Sequence, residues 1–471
     1  MASRQDQLHS YQFSVQRVVS ALVMRDTDPA RSPFRRVAGS TFAGILLAAL
    51  SLAAVAVYGV ISPGGGTDWR DGSAVIVERE SGARYVYAGG ALHPVPNYAS
   101  ALLVIGSAQA HPVTVAHSSI DGVPRGVPLG IPGAPDPLPH PDRLVGAPWA
   151  LCSRGVESVL YLGRAPAGGT ELPDGTGLLA AAPDGTGYLI WRRHRYKVSR
   201  FVLGALAWGS EMPTPVAPAL VNSLPAGPDL AAPALPGVRG APSKVRDARV
   251  GQVIVETVAG GGKQYAVALG DGLAAISELQ AALLLAESGT GQKELSPGDF
   301  AANLTAPPLM PTGELAPPAT RPELARPHSA DRALCATVGG TRDAFAVDVP
   351  VSGAGSRVGS GGASAAGAGL LADRVVIEPG WGAMVSAVPS PAAVPSPGAV
   401  PSPGAVPSPS APGTVSVVSE LGIRYPVPGE DVLAMLGYQG VTPVRMPSNL
   451  VSLLASGPAL DPVAARTPAA G

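Results

Sequence analysis

Charge is scarce in this chain. Of its 471 residues only 14% are Asp, Glu, Lys or Arg, against roughly 25% in an ordinary soluble domain. The net charge of −1 argues against a dedicated nucleic-acid binder, because neutralising phosphates requires a basic surface. Cysteine is nearly absent. Two residues, Cys152 and Cys335, exclude a disulfide-dense scaffold and a four-thiolate zinc site, and leave room for one bridge. Catalytic signatures are missing too. The nearest approaches to a phosphate-binding G-x-x-x-x-G-K-[ST] loop are Gly260-Gly261-Gly262-Lys263 and Gly289-Thr290-Gly291-Gln292-Lys293, and both lack half of the motif. Gly362-Ala363-Ser364-Ala365-Ala366 only approaches a nucleophile elbow. There is no H-E-x-x-H, and His111 and His117, six apart, make a weak metal pair without a nearby carboxylate. No catalytic residue, cofactor or metal ligand is therefore assigned.

Long apolar runs are also rare, and one stands out. From Val37 to Ser62 there is no charged residue, a length that matches the ~20 residues needed to cross a bilayer core. Arg25, Arg31, Arg35 and Arg36 precede it, and the first charge after it is Asp68, beside Trp69. The positive-inside bias puts the N-terminus in the cytoplasm and residues 63–471 outside. A cleaved signal peptide is the alternative, disfavoured by the long basic region and an apolar run beyond the usual 7–15 residues. On this topology only about 36 residues face the cytoplasm, too few to build an ATP site alone.

Ahead of the span, Ser3 and Asp6 have capping-box spacing. Leu8, Tyr11, Val15, Val18 and Leu22 follow at spacings of three and four, so they share one helix face. That face predicts docking onto a partner helix or a membrane surface; packing against the chain's own anchor is the blander alternative.

Four later segments share a pattern: 75–87, 178–191, 253–267 and 415–427. Each has an alternating apolar run, a Gly-containing turn and a tyrosine (Tyr85, Tyr188, Tyr265, Tyr425) opening a second run, which predicts a β-hairpin. Helix-compatible stretches follow, as at 97–107, 275–288 and 429–438. HPVTV, MPTPV and TPVRMP carry a Pro-Val step after three of them. The tyrosine separations are too uneven for a stacked solenoid, so ββα-like units paired around a central body are expected. Cys152 and Cys335 fall in that body, and outside a membrane a disulfide between them is expected, two free buried thiols being the alternative. Residues 352–369 and the four near-copies of AVPSPG at 387–410 read as linkers, and 462–471 as a frayed tail.

The residues resemble a known family. Tyr11-x-Phe13, Arg17, Ala21-Leu22 and Arg25-Asp26, the segments 92–107 and 130–139, PWALC at 148–152, CATVGG at 335–340 and above all 436–462 look like EccB, the single-pass membrane subunit of type VII (ESX-type) secretion systems of actinobacteria. The resemblance covers essentially the whole chain in order, with the AVPSPG insert and the Gly/Ala/Ser stretch as departures. It implies a single-pass membrane protein with an α+β outer domain: four ββα-like repeat modules, similar to a cell-wall-binding fold of phage lysins, around a central β-rich core tied by one disulfide. It implies a complex with EccC (the motor ATPase), EccD and EccE, self-association of the outer domains, and contact with the MycP protease. Some relatives carry an ATPase label that no motif here supports. The expected organisation is a cytoplasmic helix in 1–36, a membrane helix in 37–62 and an outer domain in 63–471. Within the outer domain, repeats fall near 70–145, 176–235, 248–310 and 414–462, and core segments near 146–175 and 330–386. The expected function is a structural subunit of the secretion complex; ATP hydrolysis and peptidoglycan binding are the rivals.

Overall fold

Ser3 begins the helix that its spacing predicts. In a computed structural model, which describes residues 3–25, 33–61, 68–258, 260–328, 331–351, 356–357, 371–389 and 413–469, a helix runs over Arg4–Met24. The Ser3 hydroxyl accepts from the Asp6 N–H and the Asp6 carboxylate accepts from the Ser3 N–H, a complete capping box. A second helix, Pro33–Ile61, carries the uncharged run; its 20 residues Ala38–Val57 are unburied by protein. At 1.5 Å per residue that stretch is about 30 Å long, the thickness of a bilayer core.

The described chain divides into two units, Met1–Asp71 with Ile76–Ala83 and Pro112–Pro124, and Gly72–Val75 with Arg84–His111 and Arg125–Gly471. In the second unit a central sheet has the strand order Ser356–Arg357, Arg374–Val376, Glu157–Tyr161, Trp149–Arg154, Ala333–Val338, Ala344–Val349, Thr170–Glu171. Period-two alternation covers both faces of this sheet. Trp149, Leu151, Leu160 and Phe345 enter the main core, while Ala150, Cys152, Tyr161 and Cys335 line the other side.

Three further sheets in this unit share one connectivity, with chain order 3-2-1-4. One is built from Thr176–Ala181, Gly187–Trp191, His194–Val198 and Thr214–Pro215, another from Val253–Thr257, Lys263–Ala268, Leu273–Ile276 and Lys293–Glu294. The first three strands form an antiparallel meander, a helix follows, and the fourth strand returns parallel to the first. The helices here are Arg200–Ala205 and Glu278–Ser288. This corrects the ββα expectation, since a third strand precedes the helix. In the first segment Arg84–Ala88 pairs with Ala91–Pro94 before the helix Tyr98–Ile105. Pro112-Val113 lies in the strand His111–Val115, Pro215-Val216 at the end of Thr214–Pro215 and Pro443-Val444 at the start of Val444–Pro447.

The last sheet shifts the expected boundaries. Its first strand is Ala383–Val388, paired with Val415–Val418, then Ile423–Val427, the helix Glu430–Met435 and the parallel strand Val444–Pro447. The sheet therefore begins about 30 residues before the expected boundary near 414. Tyr425 sits on its third strand, whereas Tyr188 and Tyr265 are on second strands. Residues 390–412, which hold most of the AVPSPG repeats, connect the first two strands instead of preceding the unit; they and most of 352–369 lie outside the described residues. The expected frayed tail is instead docked: Pro462–Ala465 is helical, Ala465 is buried, and the Ala469 N–H donates to the Pro128 carbonyl at 2.9 Å.

A strap closes the edge of each third strand. The sequences Gly126-Val127-Pro128-Leu129, Gly227-Pro228-Asp229-Leu230, Ala306-Pro307-Pro308-Leu309 and Gly457-Pro458-Ala459-Leu460 recur. In each, the N–H groups of the first and fourth residues donate to carbonyls two apart on the third strand: Leu92 and Pro94, Arg195 and Lys197, Leu273 and Ala275, Arg424 and Pro426. The strand residue between those carbonyls is His93, Tyr196, Ala274 or Tyr425. Where it is a ring, the strap begins with glycine; a Cβ there would lie 2.2–2.3 Å from the ring. Where it is Ala274, the strap begins with Ala306. Sheets pair through their apolar faces: Val86, Leu103 and Leu129 share a core with Val417, Leu433 and Leu460, and Trp208 and Leu230 with Leu279 and Leu283.

Candidate functional site

The amphipathic helix Arg4–Met24 leaves its apolar stripe uncovered. Leu8, Tyr11, Val15, Val18 and Leu22 are between 43% and 77% exposed, as is Phe13. Most helical stability in proteins comes from packing an apolar face.

Cys152 and Cys335 form a disulfide. They sit directly opposite each other on neighbouring antiparallel strands, with Cα atoms 4.0 Å apart. That spacing is nearest the ~4.5 Å of a non-hydrogen-bonded pair, where side chains approach closely. The bridge joins positions 183 apart in sequence, so it fastens strands that the chain brings together only after most of its length.

The phosphate-loop near misses have other duties. Gly260 and Gly261 form a hairpin turn between antiparallel strands, and Lys263 opens the second of them. Gly289 is the left-handed C-cap of Glu278–Ser288, and Lys293 Nζ donates to the Arg246 carbonyl. Neither glycine run leads into a helix N-terminus, the geometry a phosphate cradle needs. Among the described residues no cluster of three or more His, Cys, Asp or Glu is disposed to hold a metal. His117, one of the two spaced histidines, instead has Nδ1 2.5 Å from the Glu78 carboxylate, which also accepts from the Ser81 hydroxyl. The Glu78 hydrogen bond raises the His117 pKa, and the Glu78, Asp121 and Glu80 charges add to it.

One feature escaped the sequence reading. On the second sheet, a cavity of about 570 Å³ is lined by Trp191, Arg192, Arg193 and His194 and by the Pro-rich stretch around Glu314. A smaller chamber of about 140 Å³ shares Arg193, His194 and Glu314 with it. Burial pushes the His194 imidazole below its ordinary pKa, and drives the Tyr196 hydroxyl up to about 12. The only local signal was an Arg-Arg pair between two strands, where turn residues are usual.

Among the described residues these features define a chain with one helix long and apolar enough to span a membrane, an uncovered apolar helix before it and a disulfide-tied, sheet-rich body. The family model described as "Type VII secretion system ESX-1, transport TM domain B" matches residues 1–470. The chain belongs to this family, EccB, a structural core subunit of the ESX type VII secretion inner-membrane complex. It is similar to a protein named ESX-3 secretion system ATPase EccB3 from Mycolicibacterium smegmatis, at 30% identity over 97% of this chain and 88% of that one. Among solved structures, an EccB3 dimer from the ESX-3 core complex matches 84% of this chain and 100% of that chain at 27% identity and TM-score 0.58. A chain of an intact ESX-5 inner membrane complex covers 100% of this chain and 96% of its own at TM-score 0.60; at 24% identity it shows the fold alone.

Proposed function

We propose that this chain acts as a non-catalytic scaffold of its secretion complex, docking partner subunits through the helix Arg4–Met24 on the cytoplasmic side and assembling through its body outside. The observation that carries this reading is the uncovered stripe of Leu8, Tyr11, Val15, Val18 and Leu22. The partners are the EccC, EccD and EccE subunits and other copies of this chain, with MycP a further contact of the outer domain. The arginines before the span support the inward N-terminus. The 3-2-1-4 connectivity shared by four sheets, and a strap on the third strand of each of those four, support four copies of one module around the disulfide-tied sheet. The test is purification of the full chain from native membranes in mild detergent, with sizing and mass spectrometry. A large assembly containing the C, D and E subunits is expected, and Val18→Asp should release the chain from it with the body still folded. An unchanged assembly in that variant refutes the docking role.

ATP hydrolysis is the reading suggested by the relative's printed name. The hairpin and C-cap roles of both glycine runs weigh against it. Hydrolysis by the purified full chain that Lys263→Ala abolishes would establish it instead.

A further inference from the structure

We draw no further inference here: the strongest candidate, the groove of about 410 Å³ on the second sheet lined from the short strands Thr214–Pro215 and Glu323–Leu324 and by the exposed Met212, is a largely apolar face with nothing in the structure to show what covers it.

Discussion

Replacing Gly227 by Ala tests the strap at its tightest point. A Cβ built there lies 2.2 Å from Tyr196 Cε1, 2.6 Å from Cδ1 and 2.9 Å from Cζ. The ring cannot swing aside: Tyr196 is fully buried and its hydroxyl donates to the Ala316 carbonyl at 2.9 Å. The strap cannot lift freely either, because the Gly227 N–H donates to Arg195 and the Leu230 N–H to Lys197, both at 2.9 Å. Reaching an ordinary contact requires a separation of more than 1 Å between fixed groups, and overpacking of this kind typically costs about 1–3 kcal/mol. Gly227 lacks a positive φ, so the reduced unfolded-state entropy of Ala returns only ~0.4–1 kcal/mol. The net expectation is a loss of about 1–2 kcal/mol in denaturant unfolding of the full chain in detergent, followed by circular dichroism. The decisive arm is a double-mutant cycle. With Tyr196→Ala the ring is gone, the pair matches the natural Ala274–Ala306 arrangement, and Gly227→Ala should then be neutral or mildly stabilising. A penalty equal in both backgrounds, or none in either, would refute the steric reading.

Other outcomes follow from the same structure. Reducing the Cys152–Cys335 bridge should lower the stability of the body by up to about 5 kcal/mol in the chain-entropy treatment of so long a loop, read as a drop in melting temperature that Cys152→Ser reproduces without reductant. His117 titrates above its ordinary value because of Glu78. Its contribution is therefore complete below about pH 6.5 and lost as pH rises through the raised folded-state value; melting temperature should fall across that window in the parent, and His117→Gln should flatten the fall. Replacing residues 390–412 by a short Asn-Gly turn should leave the last sheet intact and add about 1–2 kcal/mol by shortening the closed loop, because Val385 and Ser386 already pair with Ser416 and Val415; loss of folding would mean that the insert is required.

Local chemistry decided what was legible beforehand. The membrane-length helix, the Ser3 cap and the stripe from Leu8 to Leu22 depend on composition and spacing within a few turns, so sequence alone determined them. Hairpins around Asp184-Gly185 and before Tyr265 were equally local. The cysteines were visible as a possible pair, but their apposition across two strands needed the fold. The third strands escaped notice because ALHP and LAAI are only four residues long and HRYKV follows an Arg-Arg pair instead of an ordinary turn signal; all three are held by pairing with a neighbour on one edge and a strap on the other. The role of Ala383–Val388 was hidden for a similar reason: its partner lies beyond the AVPSPG repeats, and only pairing shows that the repeats interrupt a hairpin. The cleft at Arg192, Arg193 and His194 unites residues from the second sheet, the Pro-rich stretch and the central sheet. Sequence thus determined the elements whose stability is local and the family to which the chain belongs. Tertiary structure decided strand edges, straps and the cleft, because backbone hydrogen bonds and ring-on-glycine contacts between distant segments exist only once the chain has folded.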